Sequence, residues 1–172
     1  MSPPGLWYQI PGAKWRMHFT PDALAVLTKW VQRGAGSTER AGQLFTRDLT
    51  GNVVEIVHAT KLTPKWASFA RVKFDPKAAM TERIKLMTRG LHCVGLWHTH
   101  PEPKPVPSSE DRALAKEHAQ AAIPQLSGLV FAIVGTASFP TGLQVWVHNG
   151  EQLLSTEPGT AAVLDSNSGT SA

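Results

Sequence analysis

Two histidines, a proline-rich run and an aspartate stand close together in LWHTHPEPKPVPSSED, residues 96–111. The apolar run LHCVGLWH that leads into them has the length of a buried strand. Side chains at positions i and i+2 of a strand point to the same face, so His98 and His100 can reach one metal ion together. Zinc accepts imidazole and carboxylate ligands, and a catalytic zinc site combines three protein ligands with a water. Asp111 is the candidate third ligand.

The segment that leads from His100 to Asp111 is compatible with a metal site and also with a simple helix start. PEPKPVP has four prolines in seven residues, which excludes a helix or a central strand there. The prolines also lower the entropy cost of returning a carboxylate to the histidines. However, Ser108-x-x-Asp111 fits a capping box without any metal. Ser108 can cap the helix or direct its hydroxyl into a site, and both interpretations stay open.

The composition is that of an ordinary globular protein with one domain. The chain has 172 residues, of which 42% are hydrophobic and 17% charged. About 150 residues make one domain. The formal charge is +4, but the basic residues are scattered, which disfavours nucleic acid as the main partner.

The single cysteine, Cys93, excludes an intrachain disulfide and any zinc site with several thiolates. It favours a reducing cytoplasm, and its place in an apolar strand predicts a buried structural thiol. The N-terminal MSPPGLWYQIPG lacks the features of a signal peptide. No apolar run approaches the roughly 20 residues of a membrane span. We therefore expect a cytoplasmic protein without a membrane partner.

The hydrophobic pattern predicts an α/β fold with a mixed β-sheet and helices packed on its faces. The predicted elements are a first strand at 16–19, a helix from Thr20 to Gly34, a hairpin with strands near 42–47 and up to 59, a helix opened by Asp75-Pro76 with Met80, Ile84 and Met87 on one face, the central strand at 91–98, a helix from 108 to before Pro124, and two strands in SGLVFAIVG and GLQVWVH. We expect residues 1–150 to form the domain and residues 151–172, rich in Ser, Thr and Gly, to form a flexible tail.

His98-x-His100, seven residues and Ser108-x-x-Asp111 together resemble the JAMM signature of the MPN/JAB metalloproteases. Four fixed positions and two fixed spacings make a chance agreement improbable. The resemblance implies Zn²⁺ as cofactor, held by His98, His100 and Asp111. It also implies a cytidine-deaminase-like JAB/MPN fold over about residues 16–148. The short length of the chain and the sequence WHTHPE at residues 97–102 are similar to those of bacterial JAB proteins.

The same family has a catalytic glutamate far upstream, in a Glu-x-Gly-Gly-like context. Glu39-Arg40-Ala41-Gly42 fits that place, with Ala41 where the family has its first glycine. The rival is Glu55, which lies in the middle of a predicted strand. The resemblance thus implies Glu39 as the general acid and base, and Ser108 as a hydrogen-bond donor to the oxyanion.

The resemblance implies a JAMM-type zinc metallopeptidase, a deubiquitinase-like hydrolase. Its substrate would be the bond after the C-terminus of a ubiquitin-like modifier, in deconjugation or precursor processing. The implied partners are a ubiquitin-like protein or its conjugates and E1- and E2-like enzymes, including those of bacterial antiphage operons. The modifier's tail could add as a strand to the sheet, with the proline-rich loop and the 61–70 loop along the groove. Trp66 and Phe69 are candidate contacts there, while core packing explains them equally well.

Two alternatives keep the fold and change the function. A non-catalytic MPN scaffold would only hold partners, and a zinc amidohydrolase would act on small adducts. A zinc deaminase needs a Pro-Cys-x-x-Cys pair, which a chain with one cysteine excludes.

Overall fold

The computed structural model describes residues 4–34, 36–63, 66–67, 72–73 and 75–159. Within these ranges the helices are Pro21–Lys29 (α1), Pro76–Met87 (α2) and Ser109–Ala122 (α3). The strands are Leu6–Gln9 (β1), Arg16–Phe19 (β2), Ala41–Thr46 (β3), Val53–Ile56 (β4), His58–Ala59 (β5), Trp66–Ala67 (β6), Val72–Lys73 (β7), His92–Thr99 (β8), Leu129–Val134 (β9), Leu143–His148 (β10), Leu153–Ser155 (β11) and Glu157–Gly159 (β12). None of the described helices is long and apolar enough to span a membrane.

The larger of the two main sheets has six strands in the order β11-β10-β9-β8-β3-β5. The apolar β8 lies inside it, parallel to β9 and antiparallel to β3. The smaller sheet has the order β12-β1-β2-β4, with β2 and β4 parallel. β6 and β7 form a separate two-stranded ribbon.

The two faces of the larger sheet pack against different elements. One face shares a core with α1 and the smaller sheet; this core includes Tyr8, Met17, Phe19, Leu27, Ile56 and Trp97. The other face packs against α2 and α3; this core includes Ala79, Leu96, Ala115, Ala119, Phe131 and Ile133. Leu96 and Trp97 belong to different cores, as the alternation of a strand requires. The mixed sheet with helices on its faces confirms the predicted fold class.

The helices begin where the sequence predicts. Thr20 is the N-cap of α1, accepting a hydrogen bond from the Ala23 N–H (3.3 Å), and Pro21 takes the first helical position. Asp75 caps α2 in the same way. The predicted end of α1 at Gly34 is wrong, because the helix ends at Lys29 and the chain continues without regular structure through the described residues up to 40.

The predicted hairpin between residues 42 and 59 is wrong in its pairing. β4 pairs with β2 in the smaller sheet instead of with β3. The chain then returns to the larger sheet, where β5 pairs antiparallel with β3. The Val57 N–H donates to the Phe45 carbonyl oxygen (3.0 Å) at the point of return. The segment crosses between sheets because Ile56 is buried in the core between them.

The three apolar side chains predicted on one face of α2 are exposed. Met80, Ile84 and Met87 are 52%, 54% and 57% exposed, whereas Ala79 and Leu86 are buried. Polar contacts also attach α2 to β3. Nε2 of the buried Gln43 donates to the Ala79 carbonyl oxygen (3.2 Å) and to Oε1 of Glu82 (2.9 Å). Such hydrogen bonds do not appear in a hydrophobic pattern.

Near its two ends the described chain contains three strands that the sequence does not predict. β1 precedes the strand that the sequence places first, and β11 and β12 lie beyond residue 150. Residues 153–159 are therefore part of the two sheets, and residues 160–172 lie outside the described residues. These short edge strands are stabilised by pairing, since β11 joins β10 and β12 joins β1. Only one residue of β1 is buried, so its sequence carries little periodic signal.

Candidate active site

The end of β8 carries both histidines. His98 and His100 are buried, and their Nε2 atoms lie 3.2 Å apart. His98 is on the strand, opposite Ala41 of β3. His100 follows the strand, but its N–H still donates to the Val134 carbonyl oxygen of β9 (2.9 Å). The sheet therefore holds both imidazoles, and the structure brings them together as the sequence predicts.

The first turn of α3 brings Asp111 to the same place. Its Oδ1 lies 3.1 Å from Nε2 of His98, and its Oδ2 lies 3.1 Å from Nε2 of His100. The capping box is also present. The Ser108 N–H donates to Oδ2 of Asp111 (2.9 Å), and the Asp111 N–H donates to Oγ of Ser108 (3.1 Å). The two interpretations of this segment therefore hold together: the box that starts the helix also orients the carboxylate.

The proline-rich loop is fixed against the turn that follows β9. The Thr136 N–H donates to the Glu102 carbonyl oxygen (2.8 Å), and the Ala137 N–H donates to that of Pro103 (3.2 Å). A Cβ at Gly135 would lie 2.5 Å from the Glu102 carbonyl oxygen, so the close approach needs glycine. The loop thus has a defined path from His100 to α3.

The segment before β3 brings a fourth side chain, Glu39. Glu39 is only 4% exposed, and its Oε1 lies 3.7 Å from Nε2 of His100. One ligand atom each from Glu39, His98 and His100 fall within 4.8 Å of one another. Glu55, the rival glutamate, lies on β4 in the other sheet, where it faces His18 (3.6 Å). The structure therefore brings Glu39, and not Glu55, to the histidines.

Gly42 allows β3 to approach its neighbours closely enough to place Glu39. A Cβ at this position would overlap the Thr60 carbonyl oxygen and lie 2.7 Å from Nε1 of Trp97. The same Nε1 donates to the Thr60 carbonyl oxygen (2.8 Å). Trp97 is fully buried in the core shared with α1, as expected from its position opposite to His98.

The two site carboxylates have opposite electrostatic environments. Burial raises the pKa of Glu39 to about 7; the charge of His100 opposes this, and that of Asp111 adds to it. Burial would raise the pKa of Asp111 too, but hydrogen bonds from His100 and His98 outweigh it and hold that pKa well below its usual range. The two carboxylates can therefore differ in protonation near neutral pH.

A further carboxylate, that of Glu102, lies beside His100 and was not singled out from the sequence. Burial disfavours protonation of His100, but the hydrogen bond and charge of Asp111, with the charges of Glu39 and Glu102, raise its pKa overall. Nδ1 of His100 is buried without a hydrogen-bond partner within the described part of the chain, 3.7 Å from Oε2 of Glu102. The spacing of Glu102 from His100, at i+2, is the signal in the sequence that points to Glu102.

Of the predicted groove contacts, Phe69 and the side chain of Trp66 lie outside the described residues.

The donor set fits a zinc ion. Ligand atoms about 2.0–2.1 Å from a tetrahedral zinc lie about 3.3 Å from one another. The two Nε2 atoms are separated by 3.2 Å, and each lies 3.1 Å from a carboxylate oxygen of Asp111. Two imidazoles and one carboxylate are also a usual ligand set for this metal.

Comparisons with known proteins agree with this architecture. The solution structure of protein DSY2949 from Desulfitobacterium hafniense has a TM-score of 0.58 to this chain, with 17% identity, and the match covers 82% of this chain and 88% of that one; it supports the fold. A "CD-NTase/cGAS isopeptidase" of Pseudomonas aeruginosa (strain BWHPSA011 / Pa011) is 32% identical over 102 residues, 56% of this chain and 63% of the relative. The match thus spans less than two thirds of that relative. The family model for prokaryotic homologs of the JAB domain matches residues 23–148, which include β8, α3 and the segment of Glu39, and the chain therefore belongs to this family.

Proposed function

We propose that this chain is a zinc-dependent isopeptidase or peptidase that hydrolyses the bond after the C-terminus of a ubiquitin-like modifier, in deconjugation or precursor processing. The observation that carries the proposal is the convergence of His98, His100 and Asp111 beside the buried Glu39. Membership of the prokaryotic JAB family and the isopeptidase name of the Pseudomonas relative support it. A ubiquitin-like protein, its conjugates and E1- and E2-like enzymes are the proposed partners.

His98, His100 and Asp111 would hold the zinc ion through the atoms that now face one another. When bound, zinc makes a water acidic enough to act as a nucleophile at neutral pH and polarises the scissile carbonyl. The sheet and the capping box orient these three side chains before any ligand arrives. The chain's contribution is thus a site whose ligands need little rearrangement.

Glu39 would move the protons of the reaction. It accepts one proton from the attacking water and gives it to the departing amine. Burial raises the pKa of Glu39, which makes it a stronger base than an exposed glutamate. Its distance of 3.7 Å from Nε2 of His100 places it beside the proposed ligands.

Ser108 would stabilise the oxyanion of the tetrahedral intermediate. Its Oγ accepts the Asp111 N–H, which leaves the hydroxyl proton free for donation. Ser108 is exposed to solvent at the start of α3, where a substrate carbonyl can reach it. One such donor contributes about 3 kcal/mol to transition-state stabilisation.

The test is cleavage of ubiquitin-like fusions, with zinc measured in the same samples. Glu39→Gln should lower kcat by about 100-fold or more while zinc stays bound, because the base lies outside the ligand set. Asp111→Ala should lose both zinc and activity. Glu55→Gln is the matched control, a glutamate in the other sheet, and should behave like the wild type.

Each alternative has its own outcome in these assays. Zinc-free protein whose activity does not depend on Glu39 would contradict the proposal. Turnover of small amides without turnover of any fusion would identify an amidohydrolase. A protein that hydrolyses neither substrate class would be a scaffold.

A further inference from the structure

Thr99 is the last residue of β8 and lies between His98 and His100, with its side chain on the opposite face of the strand. It is fully buried. Its Oγ1 accepts a hydrogen bond from the Arg40 N–H (2.9 Å) and donates one to Oε1 of Gln32 (3.3 Å). Its own N–H donates to the Arg40 carbonyl oxygen (2.9 Å). Both backbone polar groups of Arg40 are therefore held by Thr99.

Gln32 extends this arrangement into the connection between α1 and β3. Gln32 is buried, and its Nε2 donates to the Ser37 carbonyl oxygen (3.0 Å) while its Oε1 accepts from Thr99. The described residues of this connection form no helix or strand of their own. Side-chain hydrogen bonds to its backbone therefore help to fix its path.

Glu39 depends on this path for its position. It immediately precedes Arg40, and its carboxylate receives no hydrogen bond within the described part of the chain. The carboxylate lies 3.7 Å from Nε2 of His100, a distance that any shift of the backbone would change. The fixed backbone of Arg40 is thus what ties this side chain to the strand of the histidines.

We propose that Thr99 and Gln32 are positioning residues for Glu39. The Thr99 hydroxyl joins the strand that carries the histidines to the segment that carries the base. This inference rests on the proposed function, since Glu39 acts as a base only there. Displacing a catalytic group by about 1 Å can cost about 100-fold in rate, so one buried hydroxyl can be important to the reaction.

The test compares Thr99→Val with Thr99→Ser. Valine keeps the shape of the side chain but removes the hydroxyl that accepts the Arg40 N–H and donates to Oε1 of Gln32. We expect kcat to fall by about 10- to 100-fold, KM to stay within about threefold and zinc content to be unchanged. Thr99→Ser keeps the hydroxyl and should retain kcat within about threefold.

Thr46→Val is the matched control. Thr46 is also fully buried, on β3, and its Oγ1 donates to the Asp48 carbonyl oxygen (3.3 Å) far along the strand from Glu39. Thr46→Val should lower thermal stability and leave kcat unchanged. If Thr99→Val lowers stability alone, or changes kcat no more than Thr46→Val does, the positioning role is wrong.

A double mutant determines whether the effect passes through Glu39. In the Glu39→Gln background the loss caused by Thr99→Val should disappear, because there is no base left to position. A loss that persists in full would mean that Thr99 acts on the histidines, and would overturn the inference.

Hydrogen exchange tests the positioning role of Thr99 independently of the proposed enzyme activity. If the wild type cleaves no fusion, the proposed function fails, but the exchange rate of the Arg40 amide still reports on the Thr99 bond. We expect this amide to exchange faster in Thr99→Val than in the wild type or Thr46→Val. An unchanged rate would show that the hydroxyl does not hold the segment.

Discussion

At the scale of residues, the site separates two carboxylates, the buried Glu39 and the half-buried Asp111, by their hydrogen bonds. Asp111 faces both imidazoles and the Ser108 N–H, and its pKa lies well below the usual range. Glu39 has no such donors among the described residues, and burial raises its pKa to about 7. Environments that move two pKa values apart assign the two groups different roles. Here the ionised Asp111 suits a ligand and Glu39 suits a proton carrier.

The raised pKa of His100 predicts a pH-dependent zinc affinity. A ligating imidazole must be neutral, so below that pKa a proton competes with the metal for Nε2. Asp111 stays ionised over the same range and releases no proton. Ionisation of Glu39 near pH 7 adds attraction in the same direction. Zinc should therefore bind about tenfold or more tightly at about pH 8 than at about pH 6.

Competition with a fluorescent chelator measures this affinity, and circular dichroism at both pH values shows whether the fold is intact. An affinity that does not change with pH would contradict the proposed ligand role of His100.

At the scale of elements, the parts of the site that could be predicted follow local rules. The i, i+2 relation on β8 fixes the pair His98 and His100, and the capping box fixes the first turn of α3. The exposed face of α2 could not be predicted, because α2 is held by Gln43 through hydrogen bonds. The close approach of β3 to Thr60 and Trp97 could not be predicted from the sequence either, because it depends on residues that are distant in sequence.

Gly42→Ala should disrupt the placement of β3. Its new Cβ would overlap the Thr60 carbonyl oxygen, and backbone cannot move aside as a flexible side chain can. We expect a loss of about 3 kcal/mol in the free energy of unfolding. Ala41→Gly is the neighbouring control and should cost about 1 kcal/mol.

Urea unfolding measures both variants. If Gly42→Ala is no more destabilising than Ala41→Gly, the close packing around Thr60 is not important to stability.

At the scale of the whole molecule, two sheets share one core and exchange segments. After β3 the chain pairs with the smaller sheet as β4 and then returns to the larger sheet as β5. The first and last described strands, β1 and β12, pair with each other. The Tyr8 hydroxyl donates to the Leu143 carbonyl oxygen (2.8 Å) and connects the two sheets. The sequence predicted the mixed α/β class but not these connections, because pairing partners of short edge strands leave no periodic pattern.

The pairing of β11 and β12 predicts that the domain needs residues beyond 150. A chain ending at 150 loses both strands and the hydrogen bond from the Thr156 hydroxyl to the Val145 carbonyl oxygen (2.6 Å). Compared with a chain ending at 159, its free energy of unfolding should be lower by at least about 3 kcal/mol, because both strand pairings are lost and each lost hydrogen bond costs about 1 kcal/mol.

Thermal and urea unfolding of the two truncated chains give this difference. Equal stability of the two truncated chains would show that the domain does not need residues 151–159.

The capping box of α3 has a consequence for the proposed zinc site. Asp111 serves the helix start and the proposed zinc site with one carboxylate, so the two equilibria are thermodynamically linked. Such linkage is reciprocal. Whatever frays the first turn of α3 should weaken zinc binding, and bound zinc should stabilise that turn against fraying by the same free energy. The stability of the first turn of α3 should therefore report zinc occupancy without any substrate.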